Sequence, residues 1–348
     1  MKTETKLPVL AIVVPCYNEE EVMQTSPQSL LSILKDLIVK EKISVLSHIL
    51  FVDDGSKDRT WQMIDSLHGL NSKYRGLKLA SNVGHQNALM AGLTYSASNS
   101  DITVSIDVDL QDDISVIEDM VDAYLQGHDI VYGVRKSRNT DTFFKRTTAQ
   151  GFYKVMEWLG TKTVYNHADY RLMSSRAIRT LLRFEERNLY LRGIVPLIGY
   201  PSTCVYYSRS ERTAGESKYP LGKMIELAFD GITSFSVKPL HFVLYLGIIS
   251  TIVSALIMLW VFIQWFGGVV FPGWTSLILT ICFCSGCILM ALGVVGEYIG
   301  KLYIEVKRRP RFNVEKVLDK CNVSLTGNVG ENKSFLSGDE KAINIDTV

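Results

Sequence analysis

From Val9 to Tyr132 short apolar, β-branched runs alternate with segments whose apolar residues recur at helical spacing. Val9–Val14 reads as a strand and Pro15-Cys16-Tyr17-Asn18-Glu19-Glu20 as the loop after it; Leu30, Leu31, Ile33, Leu34, Leu37 and Ile38 then mark one face of a helix. A second strand, His48–Val52, runs into Asp53-Asp54-Gly55-Ser56-Lys57-Asp58, with a helix over Arg59–Leu70 behind it. Leu77–Ala80 is the third strand, and Asn82-Val83-Gly84-His85-Gln86 opens a helix that continues to Ser98. Ile102–Ile106, a helix over Ile114–Gln126 and a strand over Asp129–Gly133 complete the series. Strand-helix-strand repeats predict an α/β fold with a doubly wound, mostly parallel sheet.

The pattern changes after Arg135. Up to Lys218 periodicity is weak and basic residues cluster, as in Arg135-Lys136, Lys145-Arg146 and Arg209 to Lys218. Between Pro220 and Ser236 an apolar stripe (Leu221, Met224, Ile225, Ala228, Ile232) opposes Lys223, Glu226 and Asp230, which fits a helix lying in a membrane interface. Phe242 to Gly296 contains no Asp, Glu, Lys or Arg, and a Gly/Pro turn divides it into segments over 242–266 and 274–295. Each is long enough for a bilayer core of about 30 Å. Lys301, Lys307, Arg308, Arg309 and Arg311 follow, so the positive-inside rule puts both flanks in the cytoplasm. The expected division is a cytoplasmic domain over 1–219, a juxtamembrane amphipathic helix region over 220–241, two transmembrane helices within 242–298, and a basic segment with a disordered tail over 299–348.

Composition narrows the partners. A net charge of +1 gives no global field for nucleic acid. The six cysteines lack the pairing of a secreted scaffold, and Cys282, Cys284 and Cys287 lie in an apolar run without His or acid beside them. No Gly-x-Gly-x-x-Gly or Walker loop is present, which disfavours dinucleotide enzymes and P-loop ATPases.

The chemistry gathers at strand ends, where open α/β sheets bind ligands. Tyr17/Glu19, Asp53/Asp54, Asn82/Gly84 and Asp107/Asp109 occupy four of them. In Asp107-Val-Asp109-Leu-Gln111 alternate residues of a continuing strand would turn three oxygen-bearing side chains one way, a donor set for Mg²⁺ or Mn²⁺ on a diphosphate. The same residues alone also fit a capped strand end. A metal-held diphosphate would leave as a nucleoside diphosphate, and the arginine clusters with the membrane segments point to a lipid acceptor with an anionic head.

Val14-Pro-Cys-Tyr-Asn-Glu-Glu20, Val52-Asp-Asp-Gly-Ser56, Asn82-Val-Gly-His-Gln86, Asp107-Val-Asp-Leu-Gln111 and Arg212-Thr-Ala-Gly-Glu-Ser-Lys-Tyr219 together resemble family 2 glycosyltransferases of the Rossmann-like GT-A fold. The resemblance is to the polyprenyl-phosphate branch, with its dolichyl-phosphate mannosyltransferases and bacterial undecaprenyl-phosphate glucosyltransferases. It implies an inverting transfer of a hexose, glucose favoured, from a UDP-linked donor to undecaprenyl phosphate at the cytoplasmic face of a bacterial plasma membrane. N-acetylglucosamine, mannose or a modified pentose are the alternative sugars. It also implies nucleotide-sugar contacts from Pro15, Tyr17, Glu19, Asp53, Asp54, Gly84 and Asp107, and a metal site of Asp107, Asp109 and Gln111. Acceptor phosphate would fall to Arg135, Arg146, Arg212, Ser217 and Lys218, with Asp169, Asp109 and Arg135 as the catalytic set and Asp169 beside the reacting carbon. A homo-oligomer is admitted. Asp113 stands where relatives commonly carry proline and is expected to cap the next helix. A processive synthase would need Gln-x-x-Arg-Trp and more membrane spans, and an inactive scaffold would have lost the acidic residues.

Overall fold

The computed structural model describes residues 6–135, 167–187, 191–208, 238–266 and 273–319. They fall into two compact units, one holding a sheet together with the segment from Arg309, the other holding two long helices.

In the first unit the strands are β1 (Leu10–Cys16), β2 (His48–Asp53), β3 (Tyr74–Leu79), β4 (Ile102–Ser105), β5 (Ile130–Arg135), β6 (His167–Ser174), β7 (Ser202–Tyr207) and β8 (Val314–Leu318). Helices α1 (Ser26–Val39), α2 (Thr60–Leu70), α3 (His85–Asn99), α4 (Val116–Leu125) and α5 (Ser175–Leu182) connect or follow them. Sheet order is β7-β5-β6-β4-β1-β2-β3-β8. Every residue of β1 and β2 is buried, as continuous apolar runs covered on both faces should be. On α3, a Cβ at Gly92 would stand 2.4 Å from Val13 Cγ1 and 2.9 Å from Val52 Cγ2, so the missing side chain lets the helix sit close on β1 and β2.

The expected alternation is present, but the sheet is mixed. The neighbours β3-β2-β1-β4 run parallel, and so do β5 and β7. Between them β6 is antiparallel to both β4 and β5, and β8 is antiparallel to β3. Strands β6, β7 and β8 lie where the hydrophobic pattern predicts none. Strand β6 carries Asp169 and Arg171 in its interior, which hides its strand character, and the edge strand β8 alternates charged with apolar residues.

In the second unit α6 (Lys238–Phe266) and α7 (Trp274–Lys307) reach past the expected spans. Their apolar side chains are exposed, among them Phe242, Leu256, Leu289 and Leu292. Among the described residues, Phe283–Lys307 is long and apolar enough to cross a membrane, while Leu240–Ser254 is a shorter apolar stretch. The amphipathic segment 220–236 and residues 320–348 lie outside the described residues.

Candidate active site

The parallel strands end on one edge, and the loops there are laced by side chains. After β1, Asn18 takes a left-handed φ of 53°; its amide donates to Ser56 Oγ at 3.0 Å and its Oδ1 accepts from the Lys57 amide at 2.8 Å. The Glu19 and Glu20 amides donate to Thr60 Oγ1 and Asp58 Oδ2. These bonds tie the loop carrying Tyr17 and Glu19 to the loop after β2. Tyr17 stays exposed, whereas Asp53 is fully buried with Oδ1 accepting from the Ser56 amide. Burial pushes its carboxyl up, against the hydrogen bonds from Ser56 and the charge of Lys78. Asp54 receives the Val83 amide at 2.8 Å and the Gly84 amide at 3.0 Å on its two oxygens, fixing the entry to α3.

That entry delivers His85 between two acids. Its Nε2 lies 3.6 Å from Asp107 Oδ1 and 4.0 Å from Asp169 Oδ2. The Asp107 side chain keeps 49% of its surface open although protein closes round it, the condition of a group on the wall of a cleft. Burial pushes its carboxyl up; His85 opposes this, while Asp169, Asp109 and Asp112 reinforce it. Asp169 has the opposite balance. Burial would raise it too, but Arg192, Arg171 and His85 together hold its carboxyl well below the usual range. Arg171 Nη2 lies 2.6 Å from Asp169 Oδ1, and Arg192 Nη2 lies 3.2 Å from Oδ2.

The acidic stretch departs from the expected geometry. Strand β4 stops at Ser105, and Asp107 to Leu110 form a turn in which the Leu110 amide donates to the Asp107 carbonyl and Leu110 takes a φ of 46°. Asp107, Asp109 and Gln111 therefore lie on and just after a turn, not on the continuing strand whose alternation was expected to align them. Asp109 Oδ1 accepts from the Gln111 amide at 3.3 Å, and Gln111 is buried. Asp113 accepts from the amide and hydroxyl of Ser115, and it is Ser115 that stands at the N-cap of α4, so Asp113 makes a turn ahead of the helix and not the cap expected of it. Arg135 is turned onto this stretch: Nη2 lies 3.2 Å from buried Asp112 and Nε donates to Tyr207 Oη at 3.3 Å. Tyr170 donates from its hydroxyl to the Asp113 carbonyl and packs edge-on against Tyr207.

A divalent cation at this turn would find the Asp107 and Asp109 carboxylates and the Gln111 side-chain oxygen as its candidate donors. Among the described residues no three or more His, Cys, Asp or Glu side chains gather into a metal cage. Asp107, Asp109 and the Gln111 amide are hard oxygen donors, and the mutual repulsion of the surrounding carboxylates is what a cation would relieve.

Most of the expected residues thus meet at one edge. Asp54, Gly84, His85, Asp107 and Asp169 form a chain of direct neighbours, with Asp109 and Gln111 on the adjoining turn. Pro15 is buried at the end of β1. Arg146, Arg212, Ser217 and Lys218 lie outside the described residues. Three contributors were given no role from the sequence: His85, quoted only inside a motif; Arg171, one basic residue among the clusters after Arg135; and Arg192, a lone arginine in a region without periodicity.

The mixed α/β sheet with its acidic edge is the frame of a glycosyltransferase, and residues 11–182 match the model of glycosyl transferase family 2. The chain belongs to this family. It is 55% identical over 319 residues to a protein named uncharacterized glycosyltransferase YkoT of Bacillus subtilis, spanning 92% of this chain and 94% of that one. The SfII prophage-derived bactoprenol glucosyl transferase of Shigella flexneri is 38% identical over 88% of this chain and 97% of its own. The bactoprenol glucosyl transferase of Shigella phage SfV is 37% identical over 89% of this chain and 99% of its own.

Proposed function

We propose that this glycosyltransferase moves a hexose, glucose first among candidates, from a UDP-linked donor to undecaprenyl phosphate with inversion at the anomeric carbon. The supporting observation is the cluster in which His85 stands between open Asp107 and arginine-held Asp169, on a chain similar along most of its length to bactoprenol glucosyl transferases. Asp53 and the loop bearing Tyr17 and Glu19 would take the base and ribose, and Asp54, by holding the Val83 and Gly84 amides, would set His85 toward the diphosphate. Asp107, Asp109 and Gln111 would hold Mg²⁺ or Mn²⁺, which when bound supplies charge compensation to the departing nucleoside diphosphate.

The acceptor needs little proton abstraction. A phosphate monoester loses its second proton near pH 6, so its oxygen is already anionic at neutral pH. Asp169, kept ionised by two arginines, is a weak base suited to orienting groups at the sugar. Arg135, Arg146, Arg212, Ser217 and Lys218 are the proposed phosphate-binding groups. Helices α6 and α7, with exposed apolar sides, would form a transmembrane hairpin that keeps residues 1–219 and the segment from 299 on the cytoplasmic face.

The test incubates membranes carrying the chain with undecaprenyl phosphate, Mg²⁺ or Mn²⁺ and a panel of radiolabelled sugar nucleotides. Label is expected in the lipid with UDP-glucose; no transfer from any donor would refute the proposal. Asp109→Ala is expected to abolish transfer while leaving membrane insertion intact, and retained activity would remove the metal assignment.

A further inference from the structure

We propose that Arg192 is a positioning residue for the transfer reaction, set by Gln86, and that its task is to fix the orientation of the Asp169 carboxylate. This rests on the transfer proposed above. Asp169 emerges from β6 with one firm neighbour on its own strand, Arg171, whose side chain is 3% exposed and whose Nη2 lies 2.6 Å from Oδ1. One bond to one oxygen leaves the carboxylate free to rotate about it. Arg192 removes that freedom by approaching from a different element, with Nη2 3.2 Å from Oδ2 and Nε 3.4 Å from Oδ1. The planar guanidinium meets both oxygens and so defines the plane of the carboxylate. That plane matters because Oδ2 faces His85, and through it the edge where Asp107 lies.

Arg192 sits in a single helical turn, Leu191–Ile194, too short to place itself. Buried Leu191 and Ile194 seat the turn, and a hydrogen bond to α3 fixes its start. Gln86, the residue after His85, accepts the Leu191 amide on Oε1 at 2.9 Å. Adjacent residues of α3 thus do two jobs at one acid: His85 approaches Asp169 directly, and Gln86 holds the turn that brings Arg192 to it. Gln86 supplies an acceptor that no apolar residue replaces, and this accounts chemically for a glutamine in Asn82-Val-Gly-His-Gln86.

The experiment measures steady-state transfer by the full-length chain in membranes, for the wild type, Arg192→Gln, Arg192→Lys, Gln86→Leu and the Arg192→Gln/Gln86→Leu pair. For Arg192→Gln, kcat is expected to fall about 100-fold while KM for donor and lipid stays within about threefold, because orientation is lost and ground-state binding is not. Arg192→Lys, which keeps charge and loses the fork, recovers part of kcat. Gln86→Leu lowers kcat about tenfold, and adds little to Arg192→Gln because both act through one contact. An unchanged kcat, a loss confined to KM, or full additivity in the pair would overturn the proposal. If Arg192→Gln does not fold, Arg192→Lys and Gln86→Leu decide by the same split. A wild type that transfers nothing overturns the transfer reaction and this inference together; an active wild type with indifferent variants overturns this inference alone.

Discussion

At the scale of single residues the site separates two neighbouring carboxyls by environment. Asp107 is pushed toward holding its proton by burial and nearby acids, while Asp169 is kept ionised by Arg192 and Arg171 against burial. For a carboxyl with a depressed folded pKa, the unfolded chain binds the proton more readily, so its contribution to stability is complete above about pH 4 and fades as pH falls through the folded value. Asp169 is thus ionised across the whole neutral range and imposes no titration there. If the acceptor is a phosphate monoester, the acid limb of kcat/KM should have its midpoint near pH 6, from the lipid phosphate. Initial rates from pH 4 to 8 at saturating donor check this; a midpoint near 4 would instead assign the limb to a protein carboxyl.

At the scale of elements, the loops matter more than the strands that carry them. The strand alternation of β1 to β5 was legible because apolar runs of parallel strands are unmistakable, and so were the polar clusters at their ends. The shape of the acidic motif was not. Alternate residues looked as if they shared one face, yet β4 ends at Ser105 and Leu110 adopts a left-handed backbone that sequence spacing does not reveal. Strand β6 was hidden because Asp169 and Arg171 are charged residues that pair inside the sheet, a contact visible only once the strand is folded. Arg192 had no local signal, since its role depends on a hydrogen bond from α3. One loop feature shows its reason only in the fold: Gly55, in Asp53-Asp54-Gly55-Ser56. It has φ 66°, and a Cβ there would lie 2.7 Å from the backbone of both Ser81 and Asn82. Gly55→Ala should cost about 1–3 kcal/mol and push the loop after β2 away from the one before α3, weakening donor binding as well. Denaturant unfolding and the KM for sugar nucleotide measure the two effects; an alanine variant with unchanged values of both would show that the loops can yield.

At the scale of the whole molecule, the sheet is not finished by the chain that precedes the long helices. After α7 the segment from Arg309 returns to it: Arg311 donates to the carbonyls of Phe184 and Glu186, and β8 pairs with β3 from Val314 to Leu318. Asp319 then lies 3.0 Å from Arg75, whose side chain is 7% exposed and which also donates to Tyr95 Oη. Lys78 pairs with Glu315, and Trp61 lies beneath both Lys78 and Lys316. The helices of the second unit are therefore an insertion in the sequence of the first, tied covalently at both ends to one sheet. Ending the chain at Arg308 would expose the β3 edge and strip a buried arginine of its carboxylate partner, a loss of about 1–3 kcal/mol from that partner alone. Such a chain should melt at least about 5 °C lower and be cut by protease within the sheet unit. A chain ending at Asp319 keeps β8 with its pairs and should match the full-length protein in both measurements. If the Arg308 chain is as stable and as protease-resistant as the Asp319 chain, β8 is an ornament on the edge and the sheet unit is complete without it.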